Sequence, residues 1–427
     1  MARKVLIIAY YWPPAGGPGV QRWLKFVKYL REFGIKPVVY IPKNPNYPIV
    51  DETLVDEIPE GIKYYENEIK EPYYLAKLLS GKKARRISSG IIETEQSSWL
   101  EKTMLWIRGN FFIPDARKYW IEPSIRYLTA VISKEEIETI ISTGPPHSMH
   151  LIGLGLRERH NIPWIADFRD PWTSIGYHKK LRLSKNSQQK HKELEHRVLN
   201  SADKILVTSN TTKKEFQLIS KKPIEVITNG YDTDYLGGAN LDDKFTISHI
   251  GSLLSGRDPQ NLWKVLSQLA AENEIFRSSL QLEFIGVVSK EVMNSLYRYE
   301  LAPYIKLKGY VSHAQALRRQ RGSQVLLLVE IDSKETRGIV PGKLFEYMAA
   351  RRPILALGPS GWDAGKIIEE TNTGAVFNYE AKGDLKALIL KWFKRFQQGN
   401  LYMEEADIKQ YSRRELTRKL AEHLQWE

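Results

Sequence analysis

Two rhythms of apolar spacing alternate along this chain. Short, nearly continuous apolar runs occupy residues 5–10, 37–41, 139–142, 164–167 and 204–208. Runs of that length, bounded by Gly, Pro or polar residues, predict buried strands. Between them lie stretches with apolar residues at three- and four-residue spacing, among them 20–33 and 147–160, which predict helices. The alternation restarts after a turn-rich stretch near Ile227, ITNGYDTDYLGGAN, whose Asn-Gly and Gly-Gly pairs mark a linker. Beyond it, strands are expected at 246–250, 280–286, 305–308, 325–329 and 354–357, and helices at 261–272, 314–321 and 342–350. Strands alternating with helices imply parallel α/β layers. The chain therefore reads as two Rossmann-like domains, residues 1–230 and 231–410, with a polar amphipathic helix at 411–427.

Composition narrows the class. The chain has 427 residues, 42% hydrophobic and 26% charged, which gives each of two domains enough residues for its own core. It has no cysteine, so disulfides and cysteine-ligated zinc are excluded, in keeping with a reducing compartment. No run reaches the ~18 apolar residues of a membrane span. The opening MARKVLIIAYYWPP has a signal peptide's charge-then-apolar order, but the apolar run is short and ends in Trp-Pro-Pro, so it reads as a first strand. The formal net charge of +13 predicts a polyanionic partner. No nucleic-acid motif is visible, which leaves a phosphorylated substrate or an anionic lipid surface. The run KKARR at 82–86 opens a zone where Trp99, Trp106, Phe111 and Phe112 interleave with Lys102 and Arg108. Basic and aromatic residues on one amphipathic segment suit an anionic membrane interface; an ordinary solvated helix face has the same composition.

Candidate chemistry concentrates at residues 340–357, VPGKLFEYMAARRPILAL. A loop ending in Pro341-Gly342 enters a short helix, which stops at Arg351-Arg352 before a buried strand. The N-terminus of a helix carries unpaired N–H groups and partial positive charge, which suits a phosphate. Lys343 stands in that first turn, where a cation opposes the helix dipole unless an anion is bound. Glu346 follows one turn later, and its carboxylate can accept two hydroxyl hydrogen bonds, as from a ribose. Lysine for phosphate and glutamate for ribose point to a nucleotide, although a solvated Lys–Glu pair has the same spacing.

Three other segments carry candidate residues. In the first strand-to-helix connection, YYWPPAGGPGVQRW, Gly17 and Gly19 let the backbone pass close to a diphosphate. The spacing is not that of the dinucleotide-binding G-x-G-x-x-G, and no acidic residue ends the second strand. At 165–173, IADFRDPWT, the charged residues Asp167, Arg169 and Asp170 leave a strand end, where open α/β sheets keep their active sites; an internal Asp–Arg bridge closing the loop is the alternative. His147, in TGPPHSMH, opens a helix one βα unit earlier and either faces the same site or makes a structural contact. No Asp-x-Asp pair stands at a strand end, so neither a metal nor a bound cofactor is expected.

The 340–357 stretch resembles the nucleotide-sugar site of the family 4 retaining glycosyltransferases, of the kind that build bacterial surface glycans. In the family's E-x7-E pattern the second Glu, which holds the ribose, corresponds to Glu346. The first would fall on Gly338, where this chain departs from the pattern. The resemblance implies that Gly338, Ile339, Val340 and Leu344 cradle phosphates and sugar. In HIGSLLSGRDPQNLWKVL, Gly251 ends a strand, Ser252 takes the place of the family's Arg, and Arg257 stands close to its phosphate-binding Lys. Lys343 and Arg257 would then set two cations against a diphosphate of about two negative charges. The turn of Gly309, Tyr310 and Val311 would contact the base with its backbone. In many members the loop matching DFRDPW presents a histidine to the reacting sugar, a place that falls here on Arg169 or Asp170.

The likeness spans nearly the whole chain and is weakest at 45–130. It implies a GT-B fold, two Rossmann-like domains facing a cleft with the last helix crossing back to the first. It implies retaining hexosyl transfer from a nucleotide-diphosphate sugar to a glycan or lipid-linked acceptor, with Asp167 or Asp170 orienting the acceptor hydroxyl. The expected setting is cell-envelope polysaccharide synthesis in the cytoplasm, peripheral on the inner face of the cytoplasmic membrane. Two other readings stay open: a GT-B epimerase or phosphorylase, and a membrane-associated nucleotide-binding or scaffold protein with a degenerate site.

Overall fold

The computed structural model describes residues 3–71, 99–176, 178, 181–232, 239–403 and 406–426. Lys82, Lys83, Arg85 and Arg86 lie outside the described residues, as do the side chains of Trp99 and Lys102. The chain divides into two compact units, Met1–Asn229 with Arg413–Glu427, and Gly230–Ser412.

Unit 1 contains strands β1 (Arg3–Ile8), β2 (Ile35–Lys43), β3 (Lys63–Glu68), β4 (Thr139–Gly144), β5 (Trp164–Phe168), β6 (Lys204–Val207) and β7 (Ile224–Val226). They form one parallel sheet in the order β3-β2-β1-β4-β5-β6-β7. Its helices are α1 (Pro18–Leu30), α2 (Trp99–Phe111), α3 (Ile121–Glu135), α4 (Ser148–His160), α5 (Lys185–Ser201) and α6 (Asn210–Gln217). Unit 2 contains β8 (Phe245–Ile250), β9 (Leu280–Ile285), β10 (Ile305–Leu307), β11 (Val325–Val329), β12 (Ile354–Leu357) and β13 (Gly374–Phe377). These too are all parallel, in the order β10-β9-β8-β11-β12-β13. Its helices are α7 (Gln260–Glu272), α8 (Glu274–Ser279), α9 (Lys290–Arg298), α10 (His313–Gly322), α11 (Lys343–Ala349), α12 (Asp363–Glu370) and α13 (Gly383–Gln397). The last helix, α14 (Arg413–His423), returns to unit 1.

Central strands are apolar along their whole length because helices cover both faces of a parallel sheet. β5 and β11 are buried at every position. α1 starts with Pro18 at its first position, after Gly17 with φ 104°, and lays Val20, Trp23, Leu24 and Val27 against the sheet. α14 adds Leu416 and Leu420 to that same core, and Leu424, just beyond it, joins them. Hydrogen bonds tie this end of the chain down, among them Arg413 Nη2 to Gln21 Oε1 at 2.8 Å, Lys204 Nζ to His423 O at 2.8 Å, and Trp426 Nε1 to Thr139 Oγ1 at 2.9 Å.

In each sheet the chain builds outward one way and then the other. The strand order therefore reverses between β1 and β4 in unit 1, and between β8 and β11 in unit 2. A crevice opens at such a switch point beyond the carboxyl ends of the strands, which is where open α/β sheets bind ligands.

Candidate active site

At the switch point of unit 2 the ladder joins Val325 to Ile247 and Leu326 to Ser248 and ends there. The next polar groups find side-chain partners. His249 Nδ1 lies 3.0 Å from Leu327 O, and Ile250 N donates to Tyr347 Oη at 2.9 Å. Lys343 and Tyr347 stand four residues apart on α11, so one face of that helix delivers both to the end of β8. Lys343 Nζ reaches 3.2 Å from His249 Nε2. Gly251 follows with φ +107°, and a Cβ there would meet Lys343 Nζ at 3.0 Å, so the glycine keeps room for the ammonium. Burial pulls Lys343 down to about 8; neighbouring Arg257 acts the same way, while Glu330 and Glu346 oppose it.

Arg257, just before α7, is held by Glu330 at the end of β11. Nε and Nη2 donate to Glu330 Oε1 at 3.1 and 3.0 Å, and Nη2 also donates to Oε2 at 3.2 Å. The carboxylate is 2% exposed and the guanidinium side chain 28%. Nη1 has no partner among the described residues and remains able to donate. Glu346 on α11 accepts from two residues of α10, His313 Nε2 at 3.0 Å and Gln320 Nε2 at 3.0 Å. Gly309 O accepts from Gly286 N at 2.6 Å, Tyr310 is 75% exposed, and Val311 leans on the core. Ser252 and Gly338 are half-buried, and Ile339 O accepts from Trp362 Nε1 at 2.6 Å. Leu344 and Val340 point into the core, and Leu344 N is bonded to Pro341 O at 3.0 Å. Their side chains pack into the core, so any part they take at the donor is left to the backbone of this segment.

In unit 1, Asp167 is wholly buried and fully engaged. It accepts from Arg22 Nη2 at 2.9 Å, Trp23 Nε1 at 2.8 Å and Thr143 Oγ1 at 2.8 Å. Burial works against its charge, but Arg22 and these donors outweigh it and hold the carboxyl below its usual range. Asp167 thus braces α1 against β5, with both carboxylate oxygens engaged inside unit 1. The internal bridge occurs, with Arg22 rather than Arg169 as the partner.

Arg169 folds back instead. Nε donates to Gly144 O at 3.3 Å and Nη2 bonds Pro145 O, while the guanidinium lies against Gly19 so closely that a Cβ there would clash with it. Arg169 therefore sits at the start of α1, where Gly19 lets it in; Gly17 supplies the left-handed turn that precedes the helix. Asp170 is half-buried and has no hydrogen-bond partner among the described residues. Burial pushes its carboxyl up, offset in part by Arg169.

His147 is 4% exposed and stacks on Trp172 with centroids 4.6 Å apart and planes at 1°. Its two ring nitrogens are buried and have no hydrogen-bond partner among the described residues. Beside it, Ser142 Oγ accepts from Trp164 Nε1 and meets His150 Nδ1, each at 2.9 Å, and Trp172 Nε1 donates to His191 Nδ1 at 3.1 Å.

A match to the description "Glycosyltransferase Family 4" spans residues 19–235, just over half of the chain. The chain belongs to glycosyltransferase family 4. Its fold is GT-B, shared with solved structures that match it end to end. The Anabaena protein HepE in complex with UDP-glucose is 13% identical, covers 99% of each chain and has a TM-score of 0.61. WaaG, a glycosyltransferase involved in lipopolysaccharide biosynthesis, is 11% identical over 99% of this chain and 100% of its own, with a TM-score of 0.56. S. aureus TarM, a G117R mutant solved with Fondaparinux, alpha-GlcNAc-glycerol and UDP, is 12% identical over 98% of this chain and 99% of its own, with a TM-score of 0.60. At such identities the likeness is one of fold alone. No curated protein sequence matches the chain.

Against the family's pattern, the structure brings Gly251, Ser252, Arg257, Lys343 and Glu346 to one switch point and Gly17, Gly19, Arg169 and Asp170 to the other. Arg22, His249, His313, Glu330 and Tyr347 complete these two groups and were not singled out from the sequence. Arg22 carried a signal: it is a cation inside the apolar stripe of α1, next to Trp23. Among the described residues no cluster of three or more His, Asp or Glu side chains could hold a metal ion, and no helix is long and apolar enough to cross a membrane.

Proposed function

We propose that this family 4 glycosyltransferase moves a hexose from a nucleotide-diphosphate sugar to a glycan or lipid-linked acceptor, with retained anomeric configuration and without a metal. One observation carries the reading: Lys343 stands beside Gly251 at the unit 2 switch point, with Arg257 near enough to act on its charge. Two cations there match the charge that grows on a leaving diphosphate, the largest electrostatic demand of the step. Glu346, on the same helix as Lys343, takes the ribose. Asp170, with a carboxylate free of protein partners and raised by burial, orients the acceptor hydroxyl. The uridine nucleotides bound in the HepE and TarM structures make uridine diphosphate the first probe.

Calorimetry with uridine, guanosine and adenosine diphosphates tests the reading, in the presence of a chelator. Lys343→Ala is expected to weaken the preferred nucleotide by roughly 1.5–3 kcal/mol, the range of a charge-assisted contact. Glu346→Gln is expected to weaken nucleotides while sparing inorganic diphosphate. Equal affinity in wild type and both variants would overturn the assignment. Incubating the sugar nucleotide without acceptor separates transfer from epimerisation.

The reading extends to a peripheral site of action on the inner face of the cytoplasmic membrane. α2 supports it: Trp106, Ile107 and Phe111 are exposed on a helix that also carries Arg108, with Lys118 close to the aromatic ring of Phe112. Exposed aromatics beside cations suit an anionic interface. Trp106→Ser with Phe111→Ser should lower sedimentation with phosphatidylglycerol vesicles and leave nucleotide binding unchanged. Wild-type binding should fall steeply as salt rises from about 50 to about 500 mM, which shortens the screening length from roughly 14 Å to roughly 4 Å. No sedimentation of wild type at low salt would reject membrane attachment.

A further inference from the structure

His249 is a residue to which nothing in the nucleotide reading assigns a part, yet it is 1% exposed and touches Lys343. Its place follows from the sheet. β8 and β11 part after Ser248, and the side chain at 249 occupies the seam between them at the switch point. Nδ1 faces Leu327 O at 3.0 Å. A carbonyl oxygen only accepts, so Nδ1 carries the proton and Nε2 keeps its lone pair. Burial holds the imidazole far below its ordinary range, and the charge of Lys343 acts the same way, so the ring is neutral. Lys343 Nζ, 3.2 Å from Nε2, is therefore the donor of that contact.

We propose that His249 is a positioning residue for Lys343: a neutral imidazole, clamped by Leu327 O, accepts one ammonium hydrogen and fixes the charge beside Gly251. The inference rests on the nucleotide reading for its consequence, because the remaining ammonium hydrogens are then preset for a diphosphate. Four rotatable bonds let a free lysine wander, and holding Nζ before binding removes that ordering cost from association. Tyr347 pins the same helix one turn later through Ile250 N, so α11 meets β8 at two points. The arrangement differs in kind from the other cation. Arg257 is held by a charged acceptor, the buried carboxylate of Glu330, whereas a neutral acceptor holds Lys343 and leaves its charge intact.

The test uses the full chain with His249→Phe, which keeps the ring and loses both hydrogen bonds, and His249→Gln, whose amide oxygen can still accept from Lys343. Affinity for uridine diphosphate and inorganic diphosphate is measured in each, and again with Lys343→Ala added. His249→Phe should weaken diphosphate binding on the order of ten- to a hundred-fold, the worth of one contact to a charged group, and His249→Gln should recover most of it. On the Lys343→Ala background the His249 changes should have no further effect, because their action passes through the ammonium. An equal loss on both backgrounds, or full affinity in His249→Phe, would overturn the proposal.

A second readout is independent of any nucleotide: the titration of Lys343 followed by NMR after reductive ¹³C-methylation of the lysines. Loss of the acceptor should move the Lys343 midpoint to lower pH in His249→Phe and less so in His249→Gln. An unchanged midpoint overturns the pairing. A shifted midpoint in a protein that binds no diphosphate would confirm the pair and refute the nucleotide reading instead.

Discussion

Individual side chains at the two switch points divide into struts and tools, and burial with bonding decides which is which. Asp167 has three donors and no exposure, so its charge is spent inside the fold. Removing its charge leaves Arg22 buried without its ion-pair partner, and breaking one half of a buried pair costs about 3–5 kcal/mol. Asp170 has the opposite profile, with no hydrogen-bond partner among the described residues and a carboxyl raised by burial against the charge of Arg169. Asp170→Asn should therefore lower kcat far more than it raises the donor KM, with little change in thermal stability, while Asp167→Asn should chiefly lower the melting temperature. Kinetics and melting of the two variants side by side check this. Turnover surviving in Asp170→Asn would make that residue structural as well.

Secondary elements show why some parts were legible and others were not. The central strands stand out as apolar runs, and the helices between them as periodic ones. β3, β7 and β13 were not expected, and all three are edge strands. An edge strand has one neighbour and one exposed rim, so it needs less apolar surface; β3, KYYENE, is half charged and has no fully buried residue. α14 shows how an element of low apolar content can still matter. Its hydropathy is polar, yet Leu416, Leu420 and Leu424 close the core over α1. Leu420→Ala should cost about 2–5 kcal/mol, the range for large-to-small changes in a packed core. Hydrogen exchange should show that loss as faster opening in unit 1 with unit 2 unaffected. A uniform change in both units, or none, would contradict the assignment of α14 to the core of unit 1.

Across the whole molecule, charge and buried histidines set the response to pH. His147, His150 and His191 in unit 1 and His249 in unit 2 are all buried, and burial lowers each of them, His150 to about 3 and His191 to about 4. The unfolded chain takes up protons near the ordinary imidazole value of about 6.5, which the folded chain refuses. Stability from these groups is therefore full above about pH 6.5 and is lost as pH falls below it, down through the folded values. At pH 5 the loss is at most about 2 kcal/mol for each histidine. The +13 net charge adds self-repulsion as carboxylates protonate further down. Urea midpoints at constant ionic strength should fall continuously from pH 7 to pH 5, with unit 1 yielding first because it holds three of the four. A flat profile over that range would show that these histidines take up protons without unfolding.

Taken by itself, the sequence determined what repeats locally. Apolar runs, helical spacing and the turn-rich stretch near Ile227 were enough for two parallel α/β units, and Lys343 with Glu346, three residues on, were enough for a nucleotide-type site. Tertiary structure alone decided which charges are available. Asp167 is taken by Arg22 from 145 residues away, Arg257 by Glu330 from 73, and Lys343 by His249 from 94. Parallel strands are joined by long crossovers, so side chains that meet at a switch point come from distant parts of the chain. Such pairs leave no mark on local periodicity. Only the closed sheet, with its ladder ending at Ser248, shows that a histidine lies under the lysine.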